Sequence, residues 1–244
     1  MGGYALLKLP LLAADCFYFP QIINAFQRVL AARAQELDLS VYFFDSHFVA
    51  NLFLNPDFSH RDIRTGNLNI ATANWMVCER SIIPVHVEGN HWLLVVIRWV
   101  QAHRHTHRHT CSIHLSHFGT NTNIYINHHT LFLFRRREGK IEAFDSGNTT
   151  EARMEMIFDR IILMLREDAI ERTGCTLGEL MDGRGWTKSI IPCTKQANNT
   201  DCGVFTCVNM FCELFGLNKD LVKQDRADCF RRKIGVCVLN GTIC

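Results

Sequence analysis

The sequence predicts an α+β fold, and three features of the chain support that prediction. Apolar residues recur with helical spacing from Pro20 to Leu37, and a second helix-like run extends from Val204 to Phe215. The segment from Leu93 to Val100 is apolar and rich in β-branched residues, which is typical of a buried strand. Cys202 stands at a strand-to-helix junction before the second helix-like run. No Pro-, Gly- or Ser-rich linker divides the chain, so we expect residues 1–244 to form a single domain.

Composition narrows the classes of function. The formal net charge of +2 gives no electrostatic case for a nucleic-acid partner, and no stretch is long and apolar enough to span a membrane. The eleven cysteines are odd in number and include no CxxC motif, and the N-terminus lacks the basic region of a signal peptide. We therefore expect an intracellular protein, nuclear or cytoplasmic, whose thiols are reduced. We also expect it to be a monomer.

A short strand and a second helix are predicted after the first helix. Residues Leu39 to Phe44 are strand-like, and either Asp45 or Ser46 is placed to cap a helix that runs to Phe53. Residues 54–74 are polar and rich in Asn, Asp, Thr and Arg, and they are predicted to form a loop.

Further strands are predicted in the middle of the chain. The first is Ser81 to Val85. Leu131 to Phe134 and Ile141 to Phe144 are joined by the charged segment 135–140, which is typical of a hairpin with a longer loop. Residues 101–129 separate two strands that would otherwise form a direct hairpin. The low-complexity composition of this insertion predicts a disordered surface segment.

Two more helices are predicted towards the C-terminus. One begins at Asn148, because Glu151 stands three residues later, and ends at Gly174. The other runs from Asp225 to about Leu239.

The insertion carries alternating histidines that would share one face of an extended chain. They are His103, His105, His107 and His109. Imidazoles bind transition metals, but no cysteine or carboxylate cluster completes a site in this segment. We therefore assign no metal site and no cofactor to the chain.

The stretch around Cys202 has the features of a catalytic thiol. The backbone N–H groups and partial positive charge of a helix N-terminus stabilise a thiolate, and Asp201 is a residue type that caps such a helix. Gly203 leaves room for a substrate carbonyl because it has no Cβ. Gln196, six residues before the cysteine, is within reach as a donor to a developing oxyanion.

A thiol protease also needs a histidine to take the thiol proton and a group to orient that histidine. His91 begins an apolar strand and Asp145 ends a neighbouring one, so both stand where a scaffold holds side chains rigidly and within reach. Each residue has a structural alternative. His91 fits a strand edge, Asp145 fits a turn with an Asx hydrogen bond, and Cys202 fits core packing.

Taken together, these residues resemble the motifs of the Ulp/SENP family of ubiquitin-like-protein proteases, in the order His, Asp, Cys. The resemblance covers nearly the whole chain outside residues 101–129. The matching segments are His91-Trp92, Phe144-Asp145-Ser146, Gln196 and Asp201-Cys202-Gly203, with flanking matches at Ile22-Ile23-Asn24, Phe43 to Leu52, Ile83-Pro84-Val85 and Arg231-Arg232-Lys233-Ile234.

The resemblance implies a papain-like cysteine protease fold of the Ulp/SENP type, with a central mixed sheet flanked by helices. It implies that Cys202 is the nucleophile, that His91 is the general base, and that Asp145 orients the imidazole. Gln196 and the backbone N–H of Cys202 would form the oxyanion hole. The implied reaction is attack on the carbonyl of a C-terminal Gly-Gly, giving a thioester that water resolves.

By the same resemblance, the partner is SUMO or another ubiquitin-like protein and its conjugates, cleaved in precursor processing or deconjugation. Trp92 would lie across the narrow channel for the Gly-Gly tail. Phe17 stands where the family has a second channel Trp, and the family's adjacent Asn-Asp pair is lost, which leaves the modifier's identity open. Two alternatives also remain open: a deubiquitinase of the same fold, and a pseudoenzyme that binds a ubiquitin-like protein without cleaving it.

Overall fold

A mixed five-stranded sheet lies at the centre of the structure, which is a computed structural model. The structure describes residues 20–47, 52, 75–76, 78–87, 91–101, 137–181 and 185–243. The strands are β1 (Val41–Phe43), β2 (Arg80–Val87), β3 (His91–Gln101), β4 (Arg137–Phe144) and β5 (Trp186–Ile190). They lie side by side in sequence order, with parallel pairs at both edges and antiparallel pairs in the middle.

The central strand β3 is buried on both of its faces. Residues Leu93 to Ile97 are all fully buried, which explains why this run is apolar without alternation. Leu93, Val95 and Ile97 belong to one hydrophobic core, and Leu94 and Val96 belong to a second core on the opposite face. Burial of both faces in this way requires that the sheet be covered from two sides.

Helices provide that cover. They are α1 (Pro20–Glu36), α2 (Glu151–Thr173), α3 (Leu177–Leu180), α4 (Cys202–Phe215) and α5 (Ala227–Asn240). Helices α1, α4 and α5 pack against one another and share one core with the sheet. Helices α2 and α3 contribute to the core on the other face. The predicted α+β architecture, a central mixed sheet flanked by helices, is confirmed.

The ends of α2 and α5 differ slightly from the prediction. The side chain of Thr150, not Asn148, caps α2 by accepting a hydrogen bond from the backbone N–H of Arg153. Gly174 ends the helix in the left-handed conformation at φ 69°, as predicted. A 3-10 turn, Gln224–Arg226, precedes α5. The short helix α3 was not predicted.

The predicted hairpin turn at residues 135–140 is wrong. Residues Arg137 to Lys140 belong to β4 and pair with the second half of β3, with Gly139 opposite Trp99. A Cβ at Gly139 would lie 2.6 Å from Cε3 of the Trp186 ring, so this glycine makes room for a packed aromatic ring and does not form a turn. Residues 131–136 lie outside the described part of the chain.

Several predictions fall partly or wholly outside the described residues. Asp45 accepts a hydrogen bond from the backbone N–H of His47 at 2.7 Å and so caps a helical start, but residues 48–51 and 53–74 are not described. The same applies to residues 102–129 of the insertion and to Phe17. Among the helices that the structure describes, none combines the length and the apolar character that crossing a bilayer requires.

Candidate active site

His91, Asp145 and Cys202 meet at one end of the sheet. His91 is the first residue of β3, and Asp145 follows the last residue of β4. These strands are antiparallel, with Leu94 opposite Phe144, so the start of β3 lies beside the end of β4. Cys202 is the first residue of α4, which packs against β3, and its side chain hydrogen-bonds His91.

The carboxylate of Asp145 is buried and fully engaged. Its Oδ1 lies 2.5 Å from Nε2 of His91 and also accepts the backbone N–H of Gly147 at 2.9 Å. Its Oδ2 accepts the backbone N–H of Thr149 at 2.9 Å. Burial alone would raise the pKa of Asp145, but the bonds from His91, Thr149 and Gly147 outweigh it and hold that pKa well below its usual range. Asp145 is therefore ionised, and it is both the Asx-turn residue and the partner of His91.

His91 is held as a cation by its neighbours. Burial lowers the pKa of the imidazole, but the hydrogen bonds and charges of Asp145 and Cys202 outweigh burial and raise that pKa from 6.5 to about 9. Because Nε2 is bonded to Asp145, Nδ1 is the ring nitrogen left for the thiol. The arrangement favours a proton on the imidazole, as a thiolate–imidazolium pair requires.

Asp201 precedes the first residue of α4, as predicted, but its side chain does not cap the helix. It occupies the N-cap position, but its side chain makes no cap hydrogen bond. Its carboxylate instead accepts bonds from Arg231 at 2.7 Å, Asn198 at 2.8 Å and Gln224 at 2.8 Å. Arg231 is 1% exposed, and a buried guanidinium needs a counter-charge more strongly than a helix start needs one cap bond.

Gln196 lies beside the pair of His91 and Asp145. Its backbone N–H donates to the carbonyl of Ser146 at 2.8 Å, and its Oε1 accepts the Ser146 hydroxyl at 2.9 Å. Its Nε2 donates to the carbonyl of Asn198 at 2.6 Å, which uses one of the two hydrogens of that amide. Its predicted role in an oxyanion hole stays a prediction.

A cavity of about 500 Å³ opens next to His91. Its walls include His91, Gly147, Gln196, Asn198 and Arg153. The thiol of Cys202 does not line this cavity, and Cys202 is only 2% exposed. The cavity therefore gives access to the histidine side of the site.

The predicted substrate-binding residues differ in their surroundings. Trp92 is buried in the same core as Cys202, and its ring lies 4.5 Å from that of His86. Gly203 is buried directly after the cysteine. The channel role of Trp92 stays a prediction, and Phe17 lies outside the described residues. Within the part of the chain that the structure describes, no cluster of His, Cys, Asp and Glu is suited to a metal ion.

Gly147 lies in the site, whereas the sequence predicted only that it belongs to the turn after Asp145. A Cβ at this position would lie 2.6 Å from Cε1 and 2.8 Å from Nε2 of His91. The imidazole thus occupies the space that a side chain at residue 147 would fill. The sequence signal that could have indicated this contact is a glycine two residues after Asp145.

Comparisons with known proteins give a family and a set of similar folds. The sequence model of the Ulp1 protease family, C-terminal catalytic domain, matches residues 20–238. Comparison with curated proteins gives no match.

Solved structures similar to this chain include SUMO protease Ulp1 with its catalytic cysteine oxidised to a sulfinic acid, at 17% identity and a TM-score of 0.60, covering 94% of this chain and 80% of that one. The Ulp1 protease domain in complex with Smt3, the yeast orthologue of SUMO, is 17% identical with a TM-score of 0.60, covering 95% of this chain and 80% of that one. A de-sumoylating protease is 15% identical with a TM-score of 0.61, covering 94% of this chain and 84% of that one. These likenesses confirm the predicted Ulp-type fold.

Proposed function

The chain belongs to the Ulp1 protease family of cysteine peptidases, and from that premise we propose that it cleaves after the C-terminal Gly-Gly of SUMO or a related ubiquitin-like modifier. The observation that carries this proposal is the meeting of Cys202, His91 and Asp145 at one end of the sheet. All three lie within the segment that matches the family. They supply a nucleophile, a base and an orienting carboxylate.

The reaction begins from the thiolate–imidazolium pair, in which the thiol proton of Cys202 has already passed to His91. The ionised Asp145 favours this transfer, because its bond to Nε2 stabilises the imidazolium and fixes the ring. The thiolate then attacks the carbonyl carbon of the terminal glycine. A bond forms between sulfur and carbon, and the carbonyl oxygen takes up the negative charge.

We propose that two donors stabilise that oxyanion. One is the backbone N–H of Cys202 at the N-terminus of α4, where backbone N–H groups and the partial positive charge of the helix favour an anion. The other is the second amide hydrogen of Gln196, whose first hydrogen is bonded to Asn198. Donors of this kind act most strongly where water is excluded, and Cys202 is 2% exposed.

Breakdown of the intermediate uses the same histidine. The imidazolium of His91 donates its proton to the leaving amine, the carbon–nitrogen bond breaks, and a thioester to Cys202 remains. Neutral His91 then takes a proton from water, which attacks the thioester and releases the thiolate. The acid and base steps alternate on one group, so no cofactor is needed.

The choice of a ubiquitin-like substrate draws on relatives and on local sterics. Two similar structures are named as the SUMO protease Ulp1 and as the Ulp1 domain bound to Smt3. In this chain Gly203 adds no side chain next to the nucleophile, and Trp92 lies in the same core. We propose that Trp92 borders a channel that admits only glycine.

Turnover of matched fusion substrates tests this function. SUMO, ubiquitin and a third ubiquitin-like protein, each ending in Gly-Gly amide-linked to a fluorophore, would be offered to wild-type protein and to Cys202→Ala. We expect release from SUMO or one related modifier and none by Cys202→Ala. Preference for ubiquitin would support the deubiquitinase alternative. Binding without release, by folded wild-type protein, would contradict the proposed hydrolysis and favour the pseudoenzyme.

A further inference from the structure

Lys195 forms two hydrogen bonds to the turn that contains Asp145. The Nζ of Lys195 donates to the backbone carbonyl of Asp145 at 3.0 Å and to that of Gly147 at 2.5 Å. The carbonyl between them, that of Ser146, accepts the backbone N–H of Gln196. Three successive carbonyls of the turn are therefore bonded by two successive residues of the segment that leads to the nucleophile.

The hydrogen bonds from Lys195 follow from the shape of the turn. Its N–H groups, those of Gly147 and Thr149, point to the carboxylate of Asp145. This arrangement leaves the carbonyls of residues 145–147 without partners inside the turn. An ammonium group has three donors, and a bond from a charged donor is about twice as strong as a neutral one. Lys195 thus binds the carbonyls of the turn, whereas the carboxylate of Asp145 binds its N–H groups.

We propose that Lys195 is a positioning residue that fixes the carboxylate of Asp145 against His91 and couples this turn to the nucleophile's segment. The inference rests on the proposed function, because it assigns Lys195 a part in that chemistry. In these bonds the ammonium of Lys195 contacts backbone carbonyls and none of the groups that exchange a proton. It acts through the geometry of Asp145.

Electrostatics and positioning make opposite predictions for removal of this lysine. Loss of a nearby positive charge alone would make protonation of His91 easier and raise its pKa. Loss of positioning would weaken the bond between Asp145 and His91, and so lower that pKa from about 9. The direction of the change therefore separates the two explanations.

The experiment is an NMR titration of His91 in Lys195→Met, with Lys195→Gln as a second variant. The resonance is assigned by its loss in His91→Gln. His86, which stacks on Trp92 beside the site, is distinct because burial and the charge of His91 lower its pKa below 6.5. Lys188→Met is the matched control, because Lys188 also makes two bonds, to Glu155 and Asp159 on the surface of α2.

We expect the His91 pKa to fall in both Lys195 variants, to stay at its wild-type value in Lys188→Met, and to be restored in Lys195→Arg. We also expect kcat on the modifier substrate to fall about tenfold in Lys195→Met with KM little changed, because only geometry at the reacting centre is altered. An unchanged or raised His91 pKa in folded Lys195→Met and Lys195→Gln would overturn the proposal.

The titration needs no substrate, so it tests the positioning role of Lys195 independently of the proposed cleavage of a modifier. If wild-type protein cleaves no modifier but its His91 pKa falls in Lys195→Met, the positioning contact stands and the proposed function is wrong. If wild-type protein cleaves a modifier and Lys195→Met leaves both kcat and the His91 pKa unchanged, the positioning role is wrong.

Discussion

At the scale of single residues, the site requires that residue 147 have no side chain. The imidazole of His91 occupies the volume that a Cβ of Gly147 would fill, while the backbone N–H of Gly147 supports the carboxylate of Asp145. One glycine therefore provides both the space for the ring and a donor for its partner. The turn cannot accept even a methyl group without moving the imidazole.

We predict that Gly147→Ala lowers kcat/KM about 100-fold, because small displacements of a reacting group are costly. The free energy of unfolding should fall as well, because the added methyl group displaces an imidazole that is bonded to Asp145. Kinetics and chemical denaturation measure the two effects. Gly178→Ala is the control, because its Cβ would meet only Oγ1 of Thr176 at 3.9 Å. Equal kinetics in the two variants would contradict the contact.

The raised pKa of His91 predicts the pH dependence of the reaction. Because the folded-state pKa is about 9, the imidazolium persists below that pH and is lost as pH rises through it. We expect kcat/KM to fall on the alkaline side with an apparent pKa near 9. In Asp145→Asn this limb should move to lower pH, because the stabilising carboxylate is gone. An alkaline limb that does not move would show that another group controls it.

The same shift has a consequence for stability. A folded-state pKa above the unfolded value means that the stabilisation from His91 is fully present below pH 6.5 and is lost between pH 6.5 and about 9. The difference in unfolding free energy between wild type and His91→Gln should therefore shrink over that interval.

At the scale of secondary-structure elements, the start of α4 is fixed by α5. Asp201 precedes Cys202, and its carboxylate binds Arg231, which is 1% exposed. Asn198 and Gln224 both donate to the other oxygen of the same carboxylate. The closing helix thereby holds the residue next to Cys202, although it contributes nothing to the chemistry itself.

We predict that Arg231→Met costs about 3–5 kcal/mol of stability, because it leaves the buried carboxylate of Asp201 without its cation. Chemical denaturation measures the change. Arg232→Met is the matched control, since the neighbouring arginine on α5 is exposed. A loss below about 1 kcal/mol in Arg231→Met, similar to that of a surface substitution, would contradict the structural role of this pair.

At the scale of the whole molecule, the sheet brings distant parts of the sequence together. The strand β3 was predictable because burial on both faces leaves an uninterrupted apolar run. The extent of β4 was not, because Gly139 looks like a turn residue until the ring of Trp186 is placed over it. The partner of the Asp201 side chain was not predictable for a similar reason, since Arg231 lies thirty residues away in the sequence.

The candidate site was more predictable than the sheet. His91, Asp145 and Cys202 each stand at the end of an element, and the order of their motifs was informative without knowledge of strand pairing. Lys195 carried no such signal, because its contacts depend on how the turn after β4 presents its carbonyls. Local patterns therefore predicted which three residues meet at the candidate site, whereas the contacts of Lys195 required the tertiary structure.

The pairing of β3 and β4 predicts that the segment between them, residues 102–136, is dispensable for folding. Gln101 lies opposite Arg137, so the two ends of the intervening segment are adjacent. We predict that replacement of residues 102–136 by Asn-Gly, which favours a two-residue hairpin turn, leaves the melting temperature within a few degrees of wild type. Modifier cleavage should also persist. Loss of folding in this variant would show that the removed residues contribute to the core.

The central claim is that Cys202 is the nucleophile for a ubiquitin-like modifier. The most direct measurement is covalent trapping, with SUMO, ubiquitin and a third modifier carrying a C-terminal electrophile, followed by mass mapping of the adduct. We predict one adduct, on Cys202 alone among the eleven cysteines, and none with Cys202→Ala. An adduct on another cysteine, or one that survives in Cys202→Ala, would contradict it.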